Sequence, residues 1–128
     1  MSLLDRLRKE NQGESPKAAL YARFSSDNQR NESIDAQIRA IKAFAKVQGI
    51  VLVEEYVDRA KSATTDDRPE FQRMVKDSSK RNFQLVLVHK LDRFARNRND
   101  SMVYRMKLRK NRVSLLSILE PLDEDRPE

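Results

Sequence analysis

From Lys17 onward the chain alternates between short apolar runs and longer stretches in which apolar residues recur every three or four positions. Four runs stand out: Ala18–Ala22, Ile50–Val53, Leu85–Val88 and Val113–Leu119. The middle two are unbroken and rich in β-branched residues, the pattern of strands covered on both faces in a parallel sheet. A strand over Ala18–Phe24 alternates its side chains. That puts Tyr21, Arg23 and, one step on, Ser25 on one side, with Ala22 and Phe24 on the other. Three segments between the runs have helical spacing. Ser33–Gln48 carries Ile34, Ile38, Ile41 and Ala45 on one stripe and stops at Gly49. Pro69–Arg81 opens with proline in the first turn and carries Phe71, Met74 and Val75. In Asp100–Asn111, Met102, Val103 and Met106 form one stripe that Tyr104 and Leu108 widen, so part of this helix is expected to face a partner. The order β-α-β-α-β-α-β predicts an α/β fold: an open, mainly parallel four-stranded sheet with right-handed crossovers and helices on both faces.

Residues 1–16 read differently. Leu3, Leu4 and Leu7 suffice for one amphipathic turn, and Asn11–Pro16 is rich in helix breakers. The expected organisation is a flexible extension over 1–16 and one domain over 17–128.

In an open parallel sheet, ligands sit beyond the carboxyl ends of the strands. The polar segments there are Arg23–Gln29, Asp58–Arg68 and Lys90–Arg98, which the topology brings to one rim. A serine hydroxyl beside fixed cations at a strand end suits attack on a phosphate. In the third segment, helical spacing places Arg93 and Arg96 on one face and lets Asp92 pair with Arg96. Two guanidiniums on one face form a fork for phosphate oxygens that lysine does not match.

Charge strengthens this picture. The 128 residues hold 26 Lys and Arg against 20 Asp and Glu, a net charge of +6. Between Lys90 and Arg112 nine cations face two acids, so this stretch alone has an excess of seven, greater than the whole chain's. A concentrated basic stretch beside a phosphate-directed rim points to a nucleic-acid backbone. The absence of cysteine excludes disulfides and thiolate metal sites. No apolar run reaches membrane length and no secretory core opens the chain, so a cytoplasmic, nucleoid-associated protein of a prokaryotic cell is expected.

The residues also carry a family resemblance. Tyr21-Ala22-Arg23-Phe24-Ser25-Ser26 with Gln29, then Ser33-Ile34-Asp35-Ala36-Gln37, is similar to the opening of serine recombinases, the resolvases and invertases with their large integrase and transposase relatives. Asp58 through Ser62 to Arg68-Pro69-Glu70-Phe71 resembles their second motif. Val88-His89-Lys90-Leu91-Asp92-Arg93-Phe94-Ala95-Arg96 resembles their third. The likeness runs from Ala18 to about Glu120 in the right order, and Arg30–Glu32 looks like an insertion typical of the large branch.

The resemblance implies site-specific recombination of double-stranded DNA. A serine attacks the phosphodiester to give a 5′-phosphoserine and a free 3′-hydroxyl, and strands are exchanged within a dimer-built synaptic tetramer and rejoined without metal or nucleotide cofactor. Carried over by position, the nucleophile is Ser25; Arg23, Arg68, Arg93 and Arg96 surround the phosphate, and Asp92 balances the arginines. Gln37, Tyr21 and Gln29 support them, and Lys90, Arg98 and Arg105 meet DNA. The active-site lysine of some members falls on Lys76 or Lys80. The long dimerisation helix of the family would come after Glu128, so a catalytic-domain fragment inactive by itself is expected.

Other residues have plainer readings. Ser26 points away from Ser25 as a turn residue, His89 is a half-buried strand-end residue, Asp66-Asp67 cap the helix at Pro69, and Asp123–Asp125 form a solvated tail. Two rival functions differ in what they predict. A magnesium-dependent phosphatase or nuclease would lose activity to chelator and form no protein–DNA adduct. A noncatalytic DNA-binding or assembly module would keep salt-sensitive binding without Ser25.

Overall fold

The computed structural model describes residues 3–23, 33–59, 68–94 and 98–119. The elements are α1 (Leu3–Glu10), β1 (Lys17–Arg23), α2 (Ile34–Gln48), β2 (Val51–Asp58), α3 (Pro69–Asp77) with a 3₁₀ turn over Ser78–Lys80, β3 (Leu85–Val88), α4 (Leu91–Phe94), α5 (Arg98–Lys110) and β4 (Ser114–Ser117). The four strands are parallel in the order β2-β1-β3-β4. Local chemistry sets the boundaries. Ser33 caps α2 by accepting the Ala36 N–H at 3.0 Å, and Gly49 ends it in the left-handed region at φ 70°. Among the described residues no helix is long and apolar enough to cross a membrane.

Two apolar layers clothe the sheet. On one face Ala18, Leu20, Ala22, Leu85, Leu87 and Leu116 pack with Leu3 and Leu7 of α1 and Ile34, Ile41 and Ala45 of α2. On the other, Ala19, Tyr21, Tyr56, Val86 and Val88 pack with Phe71 and Met74 of α3, Phe94 of α4 and Leu108 of α5. β1 and β3 therefore form the covered centre, and each large side chain buried there contributes roughly 1.5–3 kcal/mol.

The expectation that Ile50–Val53 is covered on both faces does not hold. β2 is an edge strand, with Val51 47% and Val53 38% exposed, and it runs on through Glu54 and Glu55 to Asp58. Acidic side chains along an outer strand discourage pairing with another chain, which an apolar count alone does not reveal.

A bulge in β2 decides which way its second half faces. Ala18 pairs with Leu52 but Ala19 pairs with Glu54, so Val53 is the extra residue. Strand side chains alternate strictly, so one inserted residue exchanges the faces beyond it. Leu52 and Val57, five positions apart, accordingly join the same apolar layer, while Tyr56 joins the opposite layer with Tyr21. The same parity brings Asp58 to the Tyr21 side.

One further expectation is corrected. Part of the supposed extension is α1, whose Leu3 and Leu7 are buried. Arg8 donates to the Gln48 carbonyl at the end of α2, and Arg6 reaches Ser114 Oγ at 3.4 Å. Three leucines in one turn are too short a period to predict this, but they close an apolar layer that would otherwise be open. In α5 the core-facing residues are Leu108 and Tyr104, four apart, whereas Met102, Val103 and Met106 are 56%, 49% and 64% exposed. The apolar stripe with more members is therefore the outer one.

Candidate active site

The carboxyl ends of the strands assemble around α4. Arg23 is the last residue of β1 and pairs in register with Asp58, the last of β2. Gln37, fully buried on α2, clamps the Arg23 backbone from both sides: its Nε2 donates to the Arg23 carbonyl at 3.0 Å, and its Oε1 accepts the Arg23 N–H at 3.4 Å. A glutamine amide used this way holds the strand end just before the residues expected to carry the nucleophile. The Arg23 side chain then turns to α4, where Nε donates to the Arg93 carbonyl at 3.3 Å.

Arg68 arrives from another direction. It precedes Pro69 at the start of α3 and is only 4% exposed. Its Nη1 donates to the Phe94 carbonyl at 2.7 Å, and its guanidinium lies 4.1 Å over the Phe71 ring and 5.9 Å from Tyr104. Carbonyls of adjacent α4 residues thus hold two arginines that are 45 positions apart in sequence. Arg93, itself buried, sits on the same short helix. Phe71 stacks edge-on with Tyr21, Phe94 and Tyr104 at centroid distances of 5.2, 5.2 and 4.8 Å, a rigid floor for the cluster.

Asp58 binds these parts together. Its carboxylate accepts Tyr21 Oη at 2.7 Å, Glu70 N at 2.9 Å and Phe71 N at 3.0 Å. The last two are first-turn amides of α3, so a residue from β2 caps that helix, and the role expected of Asp66-Asp67 at these amides is filled. Burial, and then the negative charge of Asp58, raises the Tyr21 hydroxyl far above the usual tyrosine range, so it remains a proton donor.

The structure therefore brings together Tyr21, Arg23, Gln37, Arg68 and Arg93 among the expected residues. Lys90 lies in the turn between β3 and α4, on the same rim. Arg105 lies in the second half of α5, about 10 Å along the helix axis from Arg98. Ser25, Ser26, Gln29, Arg96, Asp66-Asp67 and Asp123–Asp125 lie outside the described residues, as do the side chains of Asp92 and Arg98. His89 is more enclosed than expected, 6% exposed just past the end of β3, and its carbonyl accepts Ser117 Oγ at 3.3 Å. Lys76 and Lys80 both sit on exposed turns of α3 and its 3₁₀ extension, and Lys80 is 3.4 Å from Asp77.

Known proteins share this fold. Residues 18–128 match the family model described as Resolvase, N terminal domain. The chain belongs to the resolvase family. This resolvase-type domain is similar to the N-terminal catalytic domain of TP901-1 integrase, with 32% identity and a TM-score of 0.75 over 86% of this chain and 82% of that one. It is equally similar to a resolvase family site-specific recombinase from Streptococcus pneumoniae, with 32% identity and a TM-score of 0.76 over 89% and 79%. The C-terminal catalytic domain of ISC1926 TnpA, an IS607-like serine recombinase, is similar at 25% identity and a TM-score of 0.67 over 80% and 69%. No curated protein sequence matches the chain. The expected serine-recombinase family and the open parallel α/β fold both stand.

Sequence reasoning assigns Asp58 no role, although the residue opens the second motif. The available signal is an acid at the end of a strand run, upstream of a helix starting at proline with no Ser, Thr, Asp or Asn immediately before it. Phe71 and Tyr104 read from their spacing as members of apolar stripes, yet their rings also form the surface on which Arg68 lies.

Proposed function

We propose that this resolvase-family domain carries out DNA strand exchange by phosphoryl transfer to Ser25. Ser25 Oγ attacks the scissile phosphorus, the Oγ–P bond forms as the bond to the 3′-oxygen breaks, and the serine proton leaves. The products are a 5′-phosphoserine and a 3′-hydroxyl. Rejoining runs the same exchange in reverse with the 3′-hydroxyl of another strand. Negative charge spreads over the phosphoryl oxygens during transfer, and Arg23, Arg68, Arg93 and Arg96 stabilise it.

The observation that carries this reading is the anchoring of Arg23 and Arg68 on adjacent α4 carbonyls at the carboxyl edge of the sheet. Carbonyl oxygens and ring faces orient the two guanidiniums on the rim where an incoming phosphate would sit. Asp92 balances this charge, Gln29 supports the nucleophile loop, and Lys90, Arg98 and Arg105 meet flanking phosphates. The outward Met102, Val103 and Met106 of α5 support self-association, a hydrophobic stripe suited to a second subunit.

The test is adduct formation on duplex DNA carrying the recombination site, read on a denaturing gel in the presence of chelator. The covalent adduct, whether formed by this chain or by a longer protein that contains it, should be lost in Ser25→Ala and kept at near-normal yield in Ser26→Ala. Adduct from Ser25→Ala, or dependence on added magnesium, overturns the assignment.

A further inference from the structure

Tyr104 brings α5 to the candidate active site. It is partly buried and packs on the apolar layer that holds Phe71, Phe94 and Leu108. Its ring meets that of Phe71 at a centroid distance of 4.8 Å and an angle of 86°. Two rings at nearly a right angle form a corner, and the Arg68 guanidinium occupies it, 4.1 Å from the Phe71 centroid and 5.9 Å from that of Tyr104. Both distances lie within the reach of a cation's attraction to an aromatic face, about 6 Å. The Phe94 carbonyl accepts Arg68 Nη1 at 2.7 Å. A hydrogen bond at one nitrogen fixes a point of a planar group, and two walls at right angles fix its plane. Tyr104 is held beyond its ring as well. Its Oη accepts Gln72 Nε2 from α3 at 2.9 Å, and Lys107, three residues on in α5, places Nζ 5.1 Å from the ring centroid. Gln72 follows Arg68 by four residues, so the tyrosine grips α3 by its hydroxyl one turn beyond the arginine that its ring faces.

We propose that Tyr104 is a positioning residue for phosphoryl transfer: its ring closes the corner that aims the Arg68 guanidinium at the phosphate. α5 then takes part in the chemistry through a side chain that acts on Arg68 and not on the reacting atoms. The proposal rests on the reading of Arg68 as a phosphate ligand, and it assigns the placing of that ligand to a residue 36 positions away in the sequence. What the corner requires is an aromatic face, not bulk. Leucine fills much of the same space but has no ring quadrupole to face a cation; phenylalanine keeps the ring and gives up only the hydrogen bond to Gln72.

Two readouts test this. The first needs no DNA: the Arg68 Nε–H resonance in the NMR spectrum of the 128-residue chain, assigned by its loss in Arg68→Lys, feels the ring currents of both walls. Tyr104→Leu should move it, and Tyr104→Phe should leave it in place. The second is single-turnover adduct formation on duplex DNA, in this chain or in a longer protein that contains it. At saturating DNA, Tyr104→Leu should slow the reaction by about tenfold while DNA affinity changes by less than about threefold. Tyr104→Phe should bring the rate back to within about twofold of the parent. In an Arg68→Ala background, Tyr104→Leu should cost less than about twofold more, because the group it acts through is gone. Leu108→Val loosens the buried side of α5 and should lower the melting temperature, yet leave the resonance in place and the rate within about twofold. A Tyr104→Leu loss that phenylalanine does not rescue, that Leu108→Val matches, or that persists undiminished in the Arg68→Ala background overturns the proposal, as does an unmoved Arg68 resonance. Adduct that survives in Ser25→Ala overturns the catalytic reading instead. A resonance that still moves in Tyr104→Leu alone then leaves the seat of Arg68 standing, so the two failures are told apart.

Discussion

Arg68 and Arg73 stand five residues apart at the beginning and on the outer face of the same helix, and they are held differently although each lies over an aromatic ring. Arg68, 4% exposed, is oriented by the Phe94 carbonyl and the faces of Phe71 and Tyr104. Arg73, with its side chain 47% exposed, forms a two-pronged pair with Glu70, Nε to Oε2 at 3.2 Å and Nη2 to Oε1 at 2.6 Å, and approaches Asp77 at 3.6 Å. A carboxylate fixes a guanidinium by neutralising it; a carbonyl or a ring fixes it and leaves its charge in place. The beginning of α3 thus buries its guanidinium against a carbonyl and ring faces, while its outer face pairs its guanidinium with exposed carboxylates.

The largest effect expected from this contrast is on DNA cleavage. Arg68→Ala should slow adduct formation by about 10²-fold or more, by analogy with the loss of a preorganised donor at a transition state. Arg73→Ala should change it less than about twofold. Arg68→Lys should recover only part of the loss, because an ammonium cannot hold the carbonyl, lie over the ring and reach a phosphate in one planar geometry. Comparable losses at 68 and 73 in single-turnover assays would erase the distinction between the two regions.

Next is the scaffold that places Arg68. Asp58 caps α3 only because the bulge at Val53 brings it to the Tyr21 side of the sheet. Asp58→Ala should strand two α3 amides and the Tyr21 hydroxyl. Each lost hydrogen bond to a charged group costs about 1.5–3 kcal/mol, so denaturant titration should show a variant destabilised by several kcal/mol or unable to fold. Tyr21→Phe removes one of the three bonds and should cost about 1.5–3 kcal/mol. An Asp58→Ala variant as stable as the parent would mean that this carboxylate carries none of the scaffold.

These elements also show where the sequence is readable. Ser33 and Gly49 delimit α2 because a cap is local chemistry, and Leu85–Val88 is unmistakable because every side chain there is buried. Arg23, Arg68 and Arg93 are legible as neighbours because they end strands or begin helices on one rim. β2 misleads because a four-residue apolar run does not tell an edge from a centre, and a bulge leaves no mark in composition. α5 leaves its buried side open because its outer stripe is more apolar than its inner one, where a single leucine and a tyrosine suffice against Phe71. Asp58 escapes because its partners are amides 12 and 13 residues away, a contact that exists only once β2 and α3 are side by side.

The smallest effect, and the one that isolates the outer face, is in the acid limb of stability. The hydrogen bond from Arg73, more than its charge, holds the Glu70 carboxyl below the usual range; Asp77 is lowered chiefly by the hydrogen bond from Tyr56 Oη. A carboxylate whose folded pKa is depressed stabilises the fold fully above its unfolded value of about 4.3, and loses that contribution as pH falls through the folded value. Arg73→Gln should therefore be less stable than the parent near neutrality by no more than about 1 kcal/mol, the range of exposed pairs. The gap should close as pH drops below about 4. Salt should narrow it as well, because both partners face solvent. Arg68→Gln should behave otherwise: its Phe94 carbonyl and ring partners do not titrate, so on their account its deficit should persist through the same acid range. Thermal unfolding of the two variants and the parent from about pH 7 to about pH 3 separates them. If the Arg68 deficit instead vanished in step with that of Arg73, a titrating carboxylate would be what holds Arg68, and the two ends of α3 would work by the same means.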